Sequence, residues 1–146
     1  QGAPPGLLYQ PAMSDAVRPH ATANGKAWLA TLPADRAIGI ARAAGLGTDG
    51  PTPRTLRTST ALAADLARSR RRGYALAEEE AERGVVAIAV AITAPDGTGV
   101  GTVSVAGPIL RLPRARHAEL AVLLTQAATE LSAAWPRLRG HERASA

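Results

Sequence analysis

From Gly84 to Ala94 the chain carries no charged residue, and its side chains alternate in size. The even positions hold Val86, Ile88, Val90 and Ile92; the odd positions hold Ala87, Ala89 and Ala91. A repeat of two with large and small residues on opposite faces fits a buried β-strand and no helix. Pro95-Asp96-Gly97-Thr98 is turn chemistry, and Gly99–Ala106 reads as a second strand, so the two form a hairpin. With residues 94 and 99 opposed, Ala87 lies across from Ala106 and Ala89 from Ser104. One shared face then carries only small residues: Ala87, Ala89, Ala91, Thr102, Ser104 and Ala106. The other, with Val86, Ile88, Val90, Ile92, Val103 and Val105, is fully apolar. Two such faces need two covers. Helices belong on the apolar face; the small-residue face is either filled by a closely approaching helix or kept as a pocket, and periodicity leaves that open.

Helix signals surround the hairpin. Thr22 can cap a segment in which Lys26, Ala27, Leu29 and Ala30 are good helix formers. Pro33 stands where a first-turn proline belongs, ahead of a second helix over Ala34–Ala44. Gly45–Pro53 must be loop, and Arg54–Arg57 reads as extended. Thr58 or Ser59 opens a helix with Leu62 and Leu66 on one face, Arg68 and Arg70–Arg72 near its end and Gly73 just past it. The run Glu78-Glu79-Glu80-Ala81-Glu82 reads as a solvated turn. Pro113 opens a long helix with an apolar stripe at Leu120, Leu124, Ala127, Leu131 and Trp135; Pro136 is expected to end it, leaving 137–146 as a flexible tail. Leu7-Leu8-Tyr9 reads as an edge strand.

With 146 residues, 46% of them apolar and 20% charged, the chain fits one globular domain. No uncharged apolar stretch reaches the roughly 20 residues of a membrane span, and the opening residues form no signal peptide. The absent initiator Met suggests a start inside a longer gene product. No cysteine is present, which excludes thiolate chemistry and agrees with a cytoplasmic setting. The net charge of +5 comes from arginine, Lys26 being the one lysine. Tyr9, Trp28, Tyr74 and Trp135 are too scattered to interleave with a nucleic-acid surface, so the positive charge reads as a solvated surface.

Motifs for catalysis fail on context. Gly45-Leu46-Gly47-Thr48-Asp49-Gly50 spells the dinucleotide fingerprint, but a helix precedes it and Pro51 and Pro53 follow, where a strand and a helix are needed. The serines lack a nucleophile elbow, and His20, His117 and His141 lack metal-ligand spacing. No cofactor, metal site or enzymatic constellation is indicated.

Three stretches together carry a family resemblance. His20-Ala21-Thr22-Ala23-Asn24-Gly25-Lys26-Ala27 resembles the HATxxGKA segment of the IclR family of transcription regulators. Arg68–Glu82, with Arg72-Gly73-Tyr74-Ala75-Leu76-Ala77-Glu78-Glu79-Glu80 within it, is similar to that family's RxxGYAxDxEE segment, and Gly84–Pro108 to its paired strands ending SxSGP. Their order and spacing match as well, over roughly residues 7–135. The resemblance implies an α+β, GAF/profilin-like domain, an antiparallel sheet with helices packed on it, here lacking its first strand or strands. It implies an effector-binding domain over residues 1–136, with the winged helix-turn-helix that contacts DNA absent from this chain.

The resemblance also implies a pocket. The effector carboxylate would sit against backbone N–H groups at Ala23 and Asn24. Ala77 stands where the family usually has an acid, and Ala87 where it often has a Cys. Of two serines on the second strand Ser104 remains, the other being Ala106, and Val85 supplies an apolar wall, as would Trp28 and Leu29 if they face inward. Alanine at three of four polar positions exchanges hydrogen bonds for apolar surface and volume. The expected ligand is therefore a carboxylic acid of apolar or aromatic character. The expected partners are that small molecule, a second copy in a dimer or tetramer, and DNA through the absent domain. The alternative is a degenerate, ligand-free oligomerisation domain of the same regulator class.

Overall fold

A computed structural model describes residues 18–144. A 3-10 turn, Pro19–Ala21, leads into α1 (Ala23–Leu29), α2 (Ala34–Ala43) and α3 (Ser59–Arg72). Strands β1 (Ala75–Glu78), β2 (Val85–Thr93) and β3 (Gly99–Pro108) follow, then a second 3-10 turn, Arg114–Arg116, and the long helix α4 (His117–Ala144). Among the described residues the strands form one antiparallel sheet in the order β1-β2-β3. This is an α+β fold. The edge strand expected at Leu7–Tyr9 lies outside the described residues.

The hairpin forms in the expected register. Ala87 pairs with Ala106 and Ala89 with Ser104, and an irregularity between Ile92 and Thr93 shifts the last pair to Thr93 and Gly99. The helix caps also follow from sequence. Thr22 Oγ1 accepts from Gly25 N at 3.0 Å, Thr58 Oγ1 accepts from Ala61 N at 3.1 Å, and Gly73 closes α3 in the left-handed region at φ 85°.

Each sheet face receives a different cover. α1 lies on the small-residue face, where Ala23 and Ala27, one helical turn apart, pack against Ala75, Ala77 and Ala89 with Ala87 beside them. α4 lies against β2 and β3 on the opposite face, over the buried Val86, Ile88 and Val90. A second core forms beyond the sheet: Leu29 of α1 meets Ala37 and Ala41 of α2, Leu46, and Leu62 and Leu66 of α3.

Four expectations are corrected. Residues 75–78 form a strand that the sequence did not announce; four residues are too few to show a period. Arg54–Arg57 is not extended, because Thr52 N donates to Thr55 Oγ1 at 3.1 Å and curls the segment into a turn. The glutamate run is not simply a solvated turn, since Glu80 reaches a buried lysine. Pro136 does not end α4, which continues to Ala144. A proline removes the hydrogen bond its own N–H would make, to the carbonyl of Ser132, and its ring crowds that carbonyl, a local cost that the rest of a long helix can outweigh. The turn before it is held to the sheet, where the Ser132 hydroxyl donates to the Thr93 carbonyl.

α4 also presents a different stripe to the sheet from the one expected. Its buried positions are His117, Ala121 and Ala128, while Leu120, Leu124 and Ala127 are half-buried and Leu131 is 41% exposed. The sheet supplies the bulky side chains on this side, so the helix fits against them with small ones. Among the described residues no helix is long and apolar enough to cross a membrane.

Candidate functional site

The start of α1 is fixed from three directions. Gly25 lies so close to the Pro19 backbone that a Cβ would come within 2.3 Å of the Pro19 carbonyl oxygen, so only glycine fits. One residue on, Lys26 is fully buried, and its Nζ donates to the Leu76 carbonyl at 2.5 Å and to both Glu80 oxygens at 2.9 and 2.8 Å. It also pairs with Asp65 Oδ2 at 2.9 Å, while Asp65 Oδ1 takes Arg68 at 3.0 Å. The ammonium therefore ties α1 to α3, to β1 and to the β1–β2 turn. Such a buried cation is tolerated only because several acceptors surround it.

The glutamate turn is held in place by hydroxyls. Thr52 Oγ1 donates to the Glu79 carbonyl at 2.5 Å and Thr55 Oγ1 to the Glu80 carbonyl at 2.6 Å. Burial pushes the Glu80 carboxyl above the ordinary glutamate range, against the pull of Lys26. Its neighbour Glu78 behaves oppositely: a two-pronged contact from Arg114, at 2.9 and 2.8 Å, holds its carboxyl below that range. His20, just before α1, is buried and its imidazole is held below its ordinary value by burial and by Arg18.

The residues singled out from sequence fall into two sets. Ala23, Ala77 and Ala87 share the tightly packed small-residue cluster, which leaves little room between α1 and the β1–β2 part of the sheet. Ser104 and Ala106 lie on the same sheet face, opposite Ala89 and Ala87, but are exposed. Val85 is half-buried at the start of β2, and Asn24 is exposed at the start of α1. Thr22 Oγ1 occupies the Gly25 N–H, whereas the N–H groups of Ala23 and Asn24 lie in the first turn, ahead of the intrahelical ladder.

An open cleft of about 440 Å³ adjoins Asn24. Gly25 and Trp28 of α1, Ile40 of α2, and Val100 and Thr102 of β3 line it. Thr102 is two residues before Ser104, so both point to the same face of β3. Trp28 thus faces inward, while Leu29 turns away into the three-helix core. Sequence reasoning missed Ile40 and Val100, whose approach depends on how α2 folds back, and the Lys26–Glu80 pair, which spans 54 residues. No group of His, Cys, Asp or Glu suited to a metal exists among the described residues.

Comparison with known proteins agrees with this architecture. Residues 14–133 match the family described as the bacterial transcriptional regulator IclR C-terminal. The transcriptional repressor IclR of Escherichia coli K12 is 32% identical over 120 residues, covering 82% of this chain and 43% of that protein. The crystal structure of the C-terminal domain of the E. coli transcriptional regulator KdgR superposes with a TM-score of 0.71 at 32% identity, covering 79% of this chain and 69% of that one. The inducer-binding domain of the Acinetobacter transcription factor PobR, a double mutant in complex with 3-hydroxybenzoic acid, gives 0.69 at 29% identity, covering 78% and 65%. The chain spans less than half the length of the curated relatives it matches. With the motifs, the fold and the domain matches in agreement, the chain belongs to the IclR family of bacterial transcription regulators and corresponds to its C-terminal effector-binding domain.

Proposed function

We propose that this domain binds a carboxylic acid of apolar or aromatic character and passes the event to an attached DNA-binding domain of a cytoplasmic regulator. The observation that carries this reading is the unevenly covered small-residue face. α1 closes it over Ala75, Ala77 and Ala89 but leaves Ser104 and Ala106 exposed beside an apolar cleft with an aromatic wall. In this reading Ala23 and Asn24 offer N–H groups to the carboxylate. Ser104 supplies the remaining hydroxyl, Val85 and Ala106 supply apolar surface, and Ala77 and Ala87, packed under α1, bound the site from below. A cleft of about 440 Å³ suits a small aromatic acid. The PobR domain in complex with 3-hydroxybenzoic acid gives a relative with such a ligand.

The ligand would act by population shift. It biases a dimer or tetramer only by as much as it binds one arrangement more tightly than another. Isothermal calorimetry across benzoate, 3-hydroxybenzoate, hexanoate, pyruvate and glyoxylate tests the reading. Preference for the aromatic or longer aliphatic acids is expected, and preference for glyoxylate or pyruvate overturns it.

The packing of Ala23 and Ala27 directly on Ala75, Ala77 and Ala89 favours a second reading, a ligand-free oligomerisation domain. In that case no acid raises the melting temperature, because only a ligand bound to the folded state does so.

A further inference from the structure

Arg72, at the end of α3, lies on the sheet side opposite the proposed effector face, beside α4. Its Nε donates to the Tyr74 carbonyl at 2.8 Å, and its guanidinium carbon sits 4.6 Å from the Tyr74 ring centroid, so the plane of the group is fixed. A guanidinium has five N–H donors. Here Nη2 is buried without an acceptor, and among the described residues no carboxylate pairs with Arg72. Several acids of α3, of the β1–β2 region and of α4 pair with other cations: Asp65 with Lys26 and Arg68, Glu78 with Arg114, Glu79 with Arg54, and Glu119 with Arg116.

This arginine forms one wall of a cleft of about 390 Å³ between Tyr74 and α4. Ala121 and Val122 provide apolar surface, and Thr125 and Gln126 provide polar groups. Val122 is 58% exposed at this site, an apolar side chain left to solvent. A fixed cation that has no counter-ion among the described residues, an aromatic ring and a partly apolar helix face together match one chemistry. We infer that this cleft is a second small-molecule site, which takes a monocarboxylate with a short apolar or aromatic body and engages it through the edge of the Arg72 guanidinium that lines the cleft. The site shares no residue with the Ala23–Ser104 face.

Amide chemical-shift mapping of the full 146-residue chain with benzoate tests the inference. Shifts that saturate at Tyr74, Ala121, Val122, Thr125 and Gln126 are expected, with neutral benzamide producing none there. Arg72→Gln should weaken this response about tenfold or more, the effect of losing a charge-assisted pair. Val122→Glu, on an exposed position, should suppress it by offering Arg72 an internal carboxylate while leaving the fold intact. Absence of saturable shifts at these residues overturns the inference, as does a response unchanged in both variants. Shifts confined to Ala23, Asn24 and Ser104 also overturn it but support the effector reading; shifts confined to the Arg72 cleft do the reverse.

Discussion

The two sides of the sheet are held by different physics. On the α1 side both partners contribute small residues, and the helix is anchored by one buried ammonium among the carbonyl of Leu76 and the carboxylates of Asp65 and Glu80. On the α4 side the sheet contributes Val86, Ile88 and Val90, and the helix meets them with Ala121 and Ala128. Alanine-on-alanine packing buries little apolar area, so the α1 contact gains correspondingly little from it. Against the sheet, α1 is therefore held largely by directional bonds, while its Leu29 is buried in the three-helix core on the far side; α4 rests on bulk burial.

The largest test of this contrast is Lys26→Met. It leaves two carboxylates around a neutral side chain, and urea unfolding should show a loss of about 3–5 kcal/mol. A loss below about 1 kcal/mol, the scale of exposed pairs, would mean that the charges do not hold α1. On the other side, Ile88→Ala should cost about 2–5 kcal/mol through lost burial and a cavity against α4. The same unfolding experiment reads it, and an effect like that of a surface substitution would break the assignment of bulk burial to this face.

Gly25→Ala sharpens the comparison further. Its Cβ would meet the Pro19 backbone, which has no flexible side chain to give way, so a cost of about 1–3 kcal/mol is expected. The substitution should also weaken any ligand at Ala23 and Asn24 while leaving the Arg72 cleft unaffected, which titration of each variant would show.

The smallest effects concern pH, and they have opposite signs. Glu80 has a raised value in the folded state, so the fold binds its proton more readily than the unfolded chain does. Its contribution is fully present below the ordinary glutamate range and declines as pH rises through the folded value. Glu78 has a lowered value, so its contribution is present above the ordinary range and is lost as pH falls through the folded value. Unfolding free energies from acidic to neutral pH should therefore show wild type losing ground to Glu80→Gln as pH rises and gaining on Glu78→Gln. The Glu78 difference should also shrink with salt, since Arg114 is largely exposed. Parallel profiles for the two variants would remove the distinction.

Much of the architecture was legible beforehand because it is written in local patterns. The period-two run at Gly84–Ala94 specified the hairpin, its register and its two unlike faces. Thr22, Thr58 and Gly73 marked helix ends through their own side-chain or backbone chemistry. The candidate site was less legible. Periodicity placed Ala87, Ser104 and Ala106 on one face and the resemblance added Ala77, but neither could say that α1 would cover only part of that face.

What the sequence determined by itself was therefore the set of elements whose signal repeats within a few residues, together with the family resemblance of its three motifs. Tertiary structure alone decided the rest. It paired Lys26 with Glu80 across 54 residues, made a strand of the four residues Ala75–Glu78, and carried α4 past Pro136. It also filled one half of the small-residue face and left the other open. Each of these outcomes depends on which surfaces meet in space. A single missing hydrogen bond, a short strand or a buried charge becomes stable only when its partner arrives, and residue spacing along the chain does not encode that arrival.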